Sequence, residues 1–101
     1  MKSNAVFLFI VPAAEQDRYE TELETPVVNM IMLGVKSYEE AVKAALELVA
    51  DRGVTTIELC AGFGSRGVAM VSEAVGERAS VGVVRFDHHP SINFKSGDAF
   101  Y

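Results

Sequence analysis

The sequence predicts an α/β fold in which two or three helices pack against a mostly parallel sheet of about four strands. Three observations favour it: an uninterrupted apolar run near the start, an amphipathic segment with helical spacing, and two strand-like segments separated by a short helical one. Strand–helix–strand units of this length require parallel pairing and right-handed crossovers. With 101 residues the chain is expected to form a single domain, residues 1–101, with a core that needs no disulfides. These patterns leave the order of the strands open.

The first strand is predicted at Ala5–Val11, a continuous apolar run that ends at Pro12. An apolar run without alternation is typical of a strand covered on both faces, and therefore of the centre of an α/β sheet. Residues 13–25 are polar and acidic, with apolar side chains only at Tyr19 and Leu23. A short solvated helix and a mobile loop are both open there, and a solvated connection is expected.

The second strand is predicted at Pro26–Leu33, and the clearest helix of the chain follows it. Ser37 and Glu40 have the spacing of a capping box at the helix start, and Gly53 is placed to end the helix. The apolar face of this helix consists of Tyr38, Ala41, Val42, Ala45, Leu48 and Val49.

The second half of the chain predicts a strand, a glycine loop, a short helix and another strand. The strands are placed at Val54–Cys60 and Ser80–Phe86, and the helix between them ends at Gly76. The end of the chain has little periodicity, although Ala99–Tyr101 could add a terminal edge strand.

Composition excludes several classes of function. The net charge is −5 and the nine Lys and Arg residues are scattered, so nucleic acid is not expected as a partner. A single cysteine fits a reducing, cytoplasmic setting. The start of the chain resembles a signal peptide superficially, but cleavage would delete the predicted central strand. No run approaches the ~20 apolar residues of a membrane span, so no membrane partner is expected.

The glycine-rich segment Cys60–Gly67 is the strongest functional signal. Glycines allow the backbone to approach a ligand closely, and a helix that begins there would present free N–H groups to an anion. If the flanking strands are parallel, Asp87 and His88 leave the same edge of the sheet as this loop, where α/β sheets bind ligands. The residues predicted to bind a ligand are Gly62, Phe63, Gly64, Ser65, Arg66, Gly67, Asp87 and His88.

The loop matches two established motifs, each only in part. The spacing of Gly62, Gly64 and Gly67 matches a dinucleotide fingerprint, but the chain has little room for the second half of such a site. Cys60 and Arg66 have the spacing of a cysteine phosphatase loop, in which a thiolate attacks phosphorus.

In such a phosphatase, Asp87 or Asp98 would be the acid for the leaving group. The residue after Arg66 is glycine, however, rather than the Ser or Thr typical of those loops. The alternative for Cys60 is a structural cysteine at a strand end, which is commoner.

Two further groups of polar residues have mainly structural interpretations. His88 and His89 follow Asp87, but adjacent residues on an extended segment point to opposite faces, so no metal site is expected. Glu58 and Arg85 lie near the ends of strands predicted to be neighbours. Because unpaired charges inside a sheet are costly, we expect them to form a structural ion pair.

Three segments together resemble a family of small prokaryotic α/β proteins that is known as a domain of unknown function. They are Ile57–Gly64, Ser80–Asp87 and Lys95–Asp98. The resemblance implies a compact prokaryotic α/β protein and carries no catalytic residue, substrate or cofactor.

Three hypotheses about function follow from the sequence. The first is binding of an anionic metabolite, such as a phosphate compound, by the Gly62–Gly67 loop at the carboxyl edge of the sheet. A homo-oligomer is expected, because small sheets with an open apolar edge often associate. The alternative to ligand binding is a non-catalytic module of such an assembly, in which the loop is only a tight turn. The second alternative is a phosphatase-like enzyme that uses Cys60 and Arg66. None of the three names a cofactor.

Overall fold

The computed structural model describes residues 2–101, which form one five-stranded sheet and two α-helices. The elements are β1 (Ser3–Ile10), β2 (Arg18–Glu24), β3 (Val28–Val35), α1 (Tyr38–Arg52), β4 (Val54–Leu59), α2 (Ser65–Val75) and β5 (Ser80–Val83). Single 3₁₀ turns lie at Gly76–Arg78, Pro90–Ile92 and Gly97–Ala99. Within the described residues, no helix is long and apolar enough to cross a membrane.

The strand order is β2-β3-β1-β4-β5, with β1 at the centre. The four strands β3, β1, β4 and β5 are parallel, and β2 pairs antiparallel with β3 at one edge. The predicted α/β class and the mostly parallel sheet are therefore confirmed, with five strands rather than about four. The central position predicted for the first strand is confirmed as well.

The extra strand, β2, lies in the segment predicted to be a solvated helix or loop, and that prediction was wrong. Tyr19 and Leu23 lie four residues apart, a spacing that fits a helix and also an alternating strand. Tyr19, Thr21 and Leu23 occupy one face of β2, and the charged residues between them occupy the other. Two of those charged residues reach α1: Arg18 pairs with Glu47 at 2.8 Å and Glu22 with Arg52 at 2.6 Å.

The first helix follows its sequence signals. The Ser37 hydroxyl accepts a hydrogen bond from the Glu40 N–H at 3.2 Å, and Gly53 adopts a left-handed conformation (φ 62°) at the other end. Both helices pack on the same face of the sheet and against each other. This face holds the core, whose strand side chains include Val6, Leu8, Ile31, Leu33, Ile57 and Leu59, all fully buried.

The opposite face of the sheet carries neither helix, and we call it the open face. Its apolar side chains come from alternate positions of β1, β2 and β3: Ala5, Phe7, Phe9, Leu23, Met30 and Met32. The exposed fraction is 36% for Met32 and 64% for Leu23, while Phe7 and Phe9 are half-buried. The expectation that the central strand is covered on both faces is therefore wrong for the single chain.

The end of the chain also differs from the expectation. Residues 99–101 form no strand, because the chain turns at Gly97–Ala99 and packs beside α2. The last strand, β5, stops at Val83, three residues before the predicted end at Phe86. Residues 84–87 and 94–97 therefore lie beyond the last strand and line the carboxyl edge of the sheet.

Candidate functional site

The loop between β4 and α2 is anchored to the sheet and the core. The Cys60 N–H donates to the Leu8 carbonyl at 3.0 Å, and the Phe63 N–H donates to the Cys60 carbonyl at 3.0 Å. Phe63 is 4% exposed, and its ring stacks on Tyr38 with centroids 5.4 Å apart. Phe63 is predicted to bind a ligand, but its ring lies in the core. Mainly its backbone reaches the surface.

The start of α2 is already occupied by an anion, the carboxylate of Asp98. Its Oδ2 accepts from the Arg66 N–H at 3.1 Å, and its Oδ1 accepts from the Gly67 N–H at 3.4 Å. The Tyr38 hydroxyl donates to the same Oδ1 at 2.8 Å and accepts from the Gly64 N–H at 3.0 Å. The sequence predicted that these N–H groups would bind an external anion. In the structure those of Arg66 and Gly67 bind the Asp98 side chain, which comes from the end of the same chain.

These contacts change the acidity of both side chains. Partial burial raises the pKa of Asp98, but the hydrogen bonds from Arg66, Tyr38 and Gly67 outweigh it, so the pKa lies below its ordinary value. A carboxyl group held in its charged form is poorly suited to protonate a leaving group. The pKa of Tyr38 is raised to about 12, mainly by burial and also by the Asp98 carboxylate, while the hydrogen bond from the Gly64 N–H lowers it in part.

The glycines of the loop permit this close packing. A Cβ at Gly64 would collide with Ser96 and Asp98, and one at Gly67 would lie 2.6 Å from the Tyr38 ring. A Cβ at Gly97 would collide with the carbonyl oxygen of Gly62. The glycines are therefore explained by contacts inside the chain.

Arg66 packs along the protein surface. Its guanidinium carbon lies 4.9 Å from the centre of the Tyr38 ring, and its Nη1 lies 3.4 Å from the Met70 sulfur. This is cation–π geometry, which engages the charged group with a side chain of the fold. Arg66 does not line the cleft described next.

The main concavity at the carboxyl edge is an open cleft of about 590 Å³, which we call the edge cleft. It lies between the β4–α2 loop, the segment that follows β5, and the end of the chain. Its walls are formed by Ala61, Phe63, Gly64, Ser65, Val68, residues 83–87 and residues 94–97. Four of the predicted ligand-binding residues are brought together here: Phe63, Gly64, Ser65 and Asp87.

The edge cleft combines positive charge with apolar surface. Arg85 and Lys95 are its basic residues, and the Arg85 Nε donates to the Asp87 carboxylate at 3.0 Å. Phe86 and Phe94 also line it and are 54% and 59% exposed. This composition suits a ligand that has both an anionic group and an apolar surface.

Two backbone donors add to the polar wall of the edge cleft. Within residues 2–101, the N–H groups of Ala61 and Ser65 donate to no other group of the protein. Both residues line the cleft. They are therefore free to donate to a ligand, unlike the N–H groups that Asp98 occupies.

The ion pair predicted between Glu58 and Arg85 is not formed. Glu58 lies beside Gly82 in the register of β4 and β5, whereas Arg85 follows the end of β5 and pairs with Asp87. Arg85 lies three residues beyond Gly82, so even a longer β5 would place it past Glu58 and on the opposite face of the sheet. Glu58 is exposed on the open face.

Cys60 and the histidines lie apart from the edge cleft. Cys60 and His89 line a smaller cavity of about 250 Å³, with Ile10 and Tyr101 among the other walls. The Cys60 sulfur accepts from the Gly62 N–H at 3.2 Å. His88, predicted to bind the ligand, is exposed and lines neither cavity.

His89 is held by its own neighbours. Its Nδ1 accepts from the Ser91 N–H at 3.0 Å, and its ring lies 4.6 Å from that of Phe86. In the described part of the chain, no three His, Cys, Asp or Glu side chains are grouped as a metal ion requires.

This geometry offers little to phosphatase chemistry. A cysteine phosphatase directs the N–H groups of its loop and an arginine at the phosphate beside the thiolate. Here the N–H groups of Gly64, Arg66 and Gly67 are bonded to Tyr38 and Asp98, and the Arg66 side chain lies over Tyr38.

Several residues that shape this region are not predicted from the sequence. The helical pattern places Tyr38 only on an apolar face, and it gives Lys95, Phe86 and Phe94 no binding role. Asp98 was considered only as an acid. Their positions depend on how the non-periodic end of the chain packs, and a local pattern carries no signal for that.

Comparison with protein-family models places the chain in a family. Residues 3–99 match the family model described as "Family of unknown function (DUF6506)". No curated protein and no solved structure matches the chain.

Proposed function

We propose that this chain, which belongs to the family of unknown function DUF6506, binds a small anionic metabolite in the edge cleft. The observation that carries the proposal is the cleft itself. Its volume of about 590 Å³ falls in the range of small-molecule sites, roughly 300–1,000 Å³. It also lies outside the carboxyl ends of parallel strands, where open α/β sheets bind their ligands.

The walls suggest which part of a ligand goes where. Arg85 and Lys95 supply the positive charge, and the free N–H groups of Ala61 and Ser65 supply neutral donors. A phosphate or carboxylate is the group that such donors hold best. The exposed rings of Phe86 and Phe94 favour a ligand with an apolar or planar body.

This proposal moves the anion away from the start of α2. The Asp98 carboxylate occupies the N–H groups of Arg66 and Gly67, so an external anion would have to displace it. Ser65 and Lys95 lie in the cleft beside that position and need no displacement. A cytoplasmic location in a prokaryote, suggested by the single cysteine and the sequence resemblance, is part of the proposal.

The first experiment is a thermal-shift screen followed by calorimetric titration of the ligands that stabilise the protein. The panel contains inorganic phosphate, mono- and dinucleotides, sugar phosphates and aromatic carboxylates. A ligand at a hundred times its Kd adds ~2.7 kcal/mol of stability, a shift of several degrees for a domain of this size.

The variant Lys95→Ala is expected to weaken binding of any such ligand by roughly tenfold or more, because it removes a charge-assisted hydrogen bond. The matched control is Lys43→Ala, since Lys43 is an exposed lysine on α1 whose carboxylate partner is Glu40. Arg66→Ala separates the two possible anion positions, because Arg66 lies outside the cleft. Equal binding by wild type and Lys95→Ala, or no stabilisation across the panel, would contradict the proposal.

A further inference from the structure

The open face is unusual for a sheet of this kind. Four of its five strands are parallel, and parallel sheets occur almost only with both faces covered. In residues 2–101 both helices lie on one face, and neither packs on the other. The strand sequences nevertheless suit two covered faces, because β1 is apolar at nearly every position.

The apolar side chains of the open face form a continuous patch across three strands. In one row the register aligns Ala5 of β1 with Met30 of β3 and Leu23 of β2. In the next row it aligns Phe7 with Met32. The rings of Phe7 and Phe9 stack along the central strand, with centroids 6.4 Å apart.

The open face is also nearly free of charge, although the chain carries a net charge of −5. The acids of β2 alternate with its apolar residues and therefore point to the helix side, where Glu22 pairs with Arg52. Of the strand residues on the open face, only Glu58 is charged. Apart from this carboxylate, which lies beside Phe7 in the register of β1 and β4, two copies of the acidic chain meet here without like charges.

We infer that two copies of this chain form a symmetric dimer by packing their open faces against each other. A twofold axis that passes close to β1 brings Phe7 and Met32 of both copies to the centre of the contact. Face-to-face packing at the usual distance of about 10 Å covers both sheets at once.

The size of the face agrees with a dimer of low affinity. The five strands contain 33 residues (8, 7, 8, 6 and 4), which at about 3.3 Å per residue and about 4.8 Å between strands give a face on the order of 500 Å², and the apolar patch on β1, β2 and β3 is about two thirds of it. A standard interface buries about 800 Å² on each partner. We therefore expect a dimer whose population depends on protein concentration.

The test is sedimentation velocity of the wild-type chain over a range of concentrations, with Met32→Lys as the variant. The wild type is expected to reach twice the chain mass of 10.9 kDa. Met32→Lys is expected to weaken the dimer roughly tenfold or more, because it places an ammonium group of each copy in an apolar contact in which Glu58 is the one opposite charge. Met32 is 36% exposed in the single chain, so the lysine can reach water and the fold is retained.

The matched control is Ala50→Lys, which adds the same charge at an exposed position of α1, on the helix side of the sheet. It is expected to dimerise like the wild type. If Met32→Lys fails to fold, Leu23→Lys places the charge at a more exposed position of the same face, where 64% of the side chain is accessible. A wild type that stays monomeric at all concentrations, or a dimer that persists in folded Met32→Lys and Leu23→Lys, would overturn the inference.

Discussion

At the scale of single residues, Asp98 connects the end of the chain to both helices. Its carboxylate accepts from two N–H groups of α2 and from the hydroxyl of Tyr38, the first residue of α1. Asparagine has the same shape but no charge. Its NH₂ group cannot accept a hydrogen bond, so one of the backbone N–H groups loses its partner. We expect Asp98→Asn to lower the free energy of unfolding by about 1 kcal/mol. Chemical denaturation measures this, with Asp17→Asn as the control, because Asp17 forms only an exposed pair with Lys36.

The effect of Asp98→Asn is expected to depend on pH. The pKa of Asp98 is lower in the folded chain than the value of 3.8 for the unfolded one, so the charged group stabilises the fold above that pH. The contribution disappears as the pH falls through the folded value, where the carboxyl group becomes neutral like the amide. Denaturation curves of the two proteins should therefore differ near neutral pH and converge in acid. A difference that stays constant throughout would show that the charge does not cause it.

The residues that the sequence predicted correctly are those governed by local chemistry. Ser37 and Gly53 sit at the ends of α1 as expected, because a helix cap depends only on a few neighbouring residues. The role of Asp98 and the pairing of Arg85 with Asp87 were missed. Both depend on where the chain goes after β5, which no periodic pattern in residues 84–101 reveals.

At the scale of elements, the contact between α1 and α2 depends on a glycine. Tyr38 begins α1, and its buried ring leaves no space for a Cβ at Gly67 of α2, which would lie 2.6 Å away. The ring stacks on Phe63 and cannot move aside. Gly67→Ala is therefore expected to destabilise the fold by roughly 1–3 kcal/mol, although alanine favours a helix.

The matched control for Gly67→Ala is Gly82→Ala in β5. A Cβ at Gly82 meets no atom within 4 Å, so alanine is expected to be neutral or slightly stabilising there. Thermal denaturation of both variants compares the same chemical change in two environments. Equal melting temperatures for the two would contradict the steric explanation.

Elements were predictable to the extent that their periodicity was unambiguous. The helix α1 and the strands β1, β3 and β4 were found within two residues at most of their ends. β2 was missed because Tyr19 and Leu23 fit both periods and the acids around them suggested solvent. The helix α1 stabilises the charges of β2, because Arg52 of α1 donates to Glu22. These two residues are 30 positions apart, so no local pattern predicts the contact.

At the scale of the whole molecule, the strand–helix–strand units predict the fold class, because crossovers of fixed hand leave few alternatives. They also place both helices on one face: each crossover moves in the same direction across the sheet, from β3 to β4 and from β4 to β5. The apolar pattern of β1 predicts that both faces of the sheet are covered. In the single chain only the helix face is covered, and the inferred dimer would cover the open face as well. The edge cleft lies at the carboxyl ends of the strands, so a dimer through the open faces leaves it accessible.

If the open faces pair as inferred, the thermal stability of the protein depends on its concentration. Unfolding separates the two copies, so mass action favours the folded dimer as the concentration rises. Over a range of about a hundredfold in concentration, we expect the Tm of the wild type to rise by several degrees, as calorimetry or the thermal-shift assay measures it. Met32→Lys is expected to show a constant Tm, whereas Ala50→Lys retains the slope of the wild type. A wild-type Tm that does not change with concentration would contradict the pairing of the open faces.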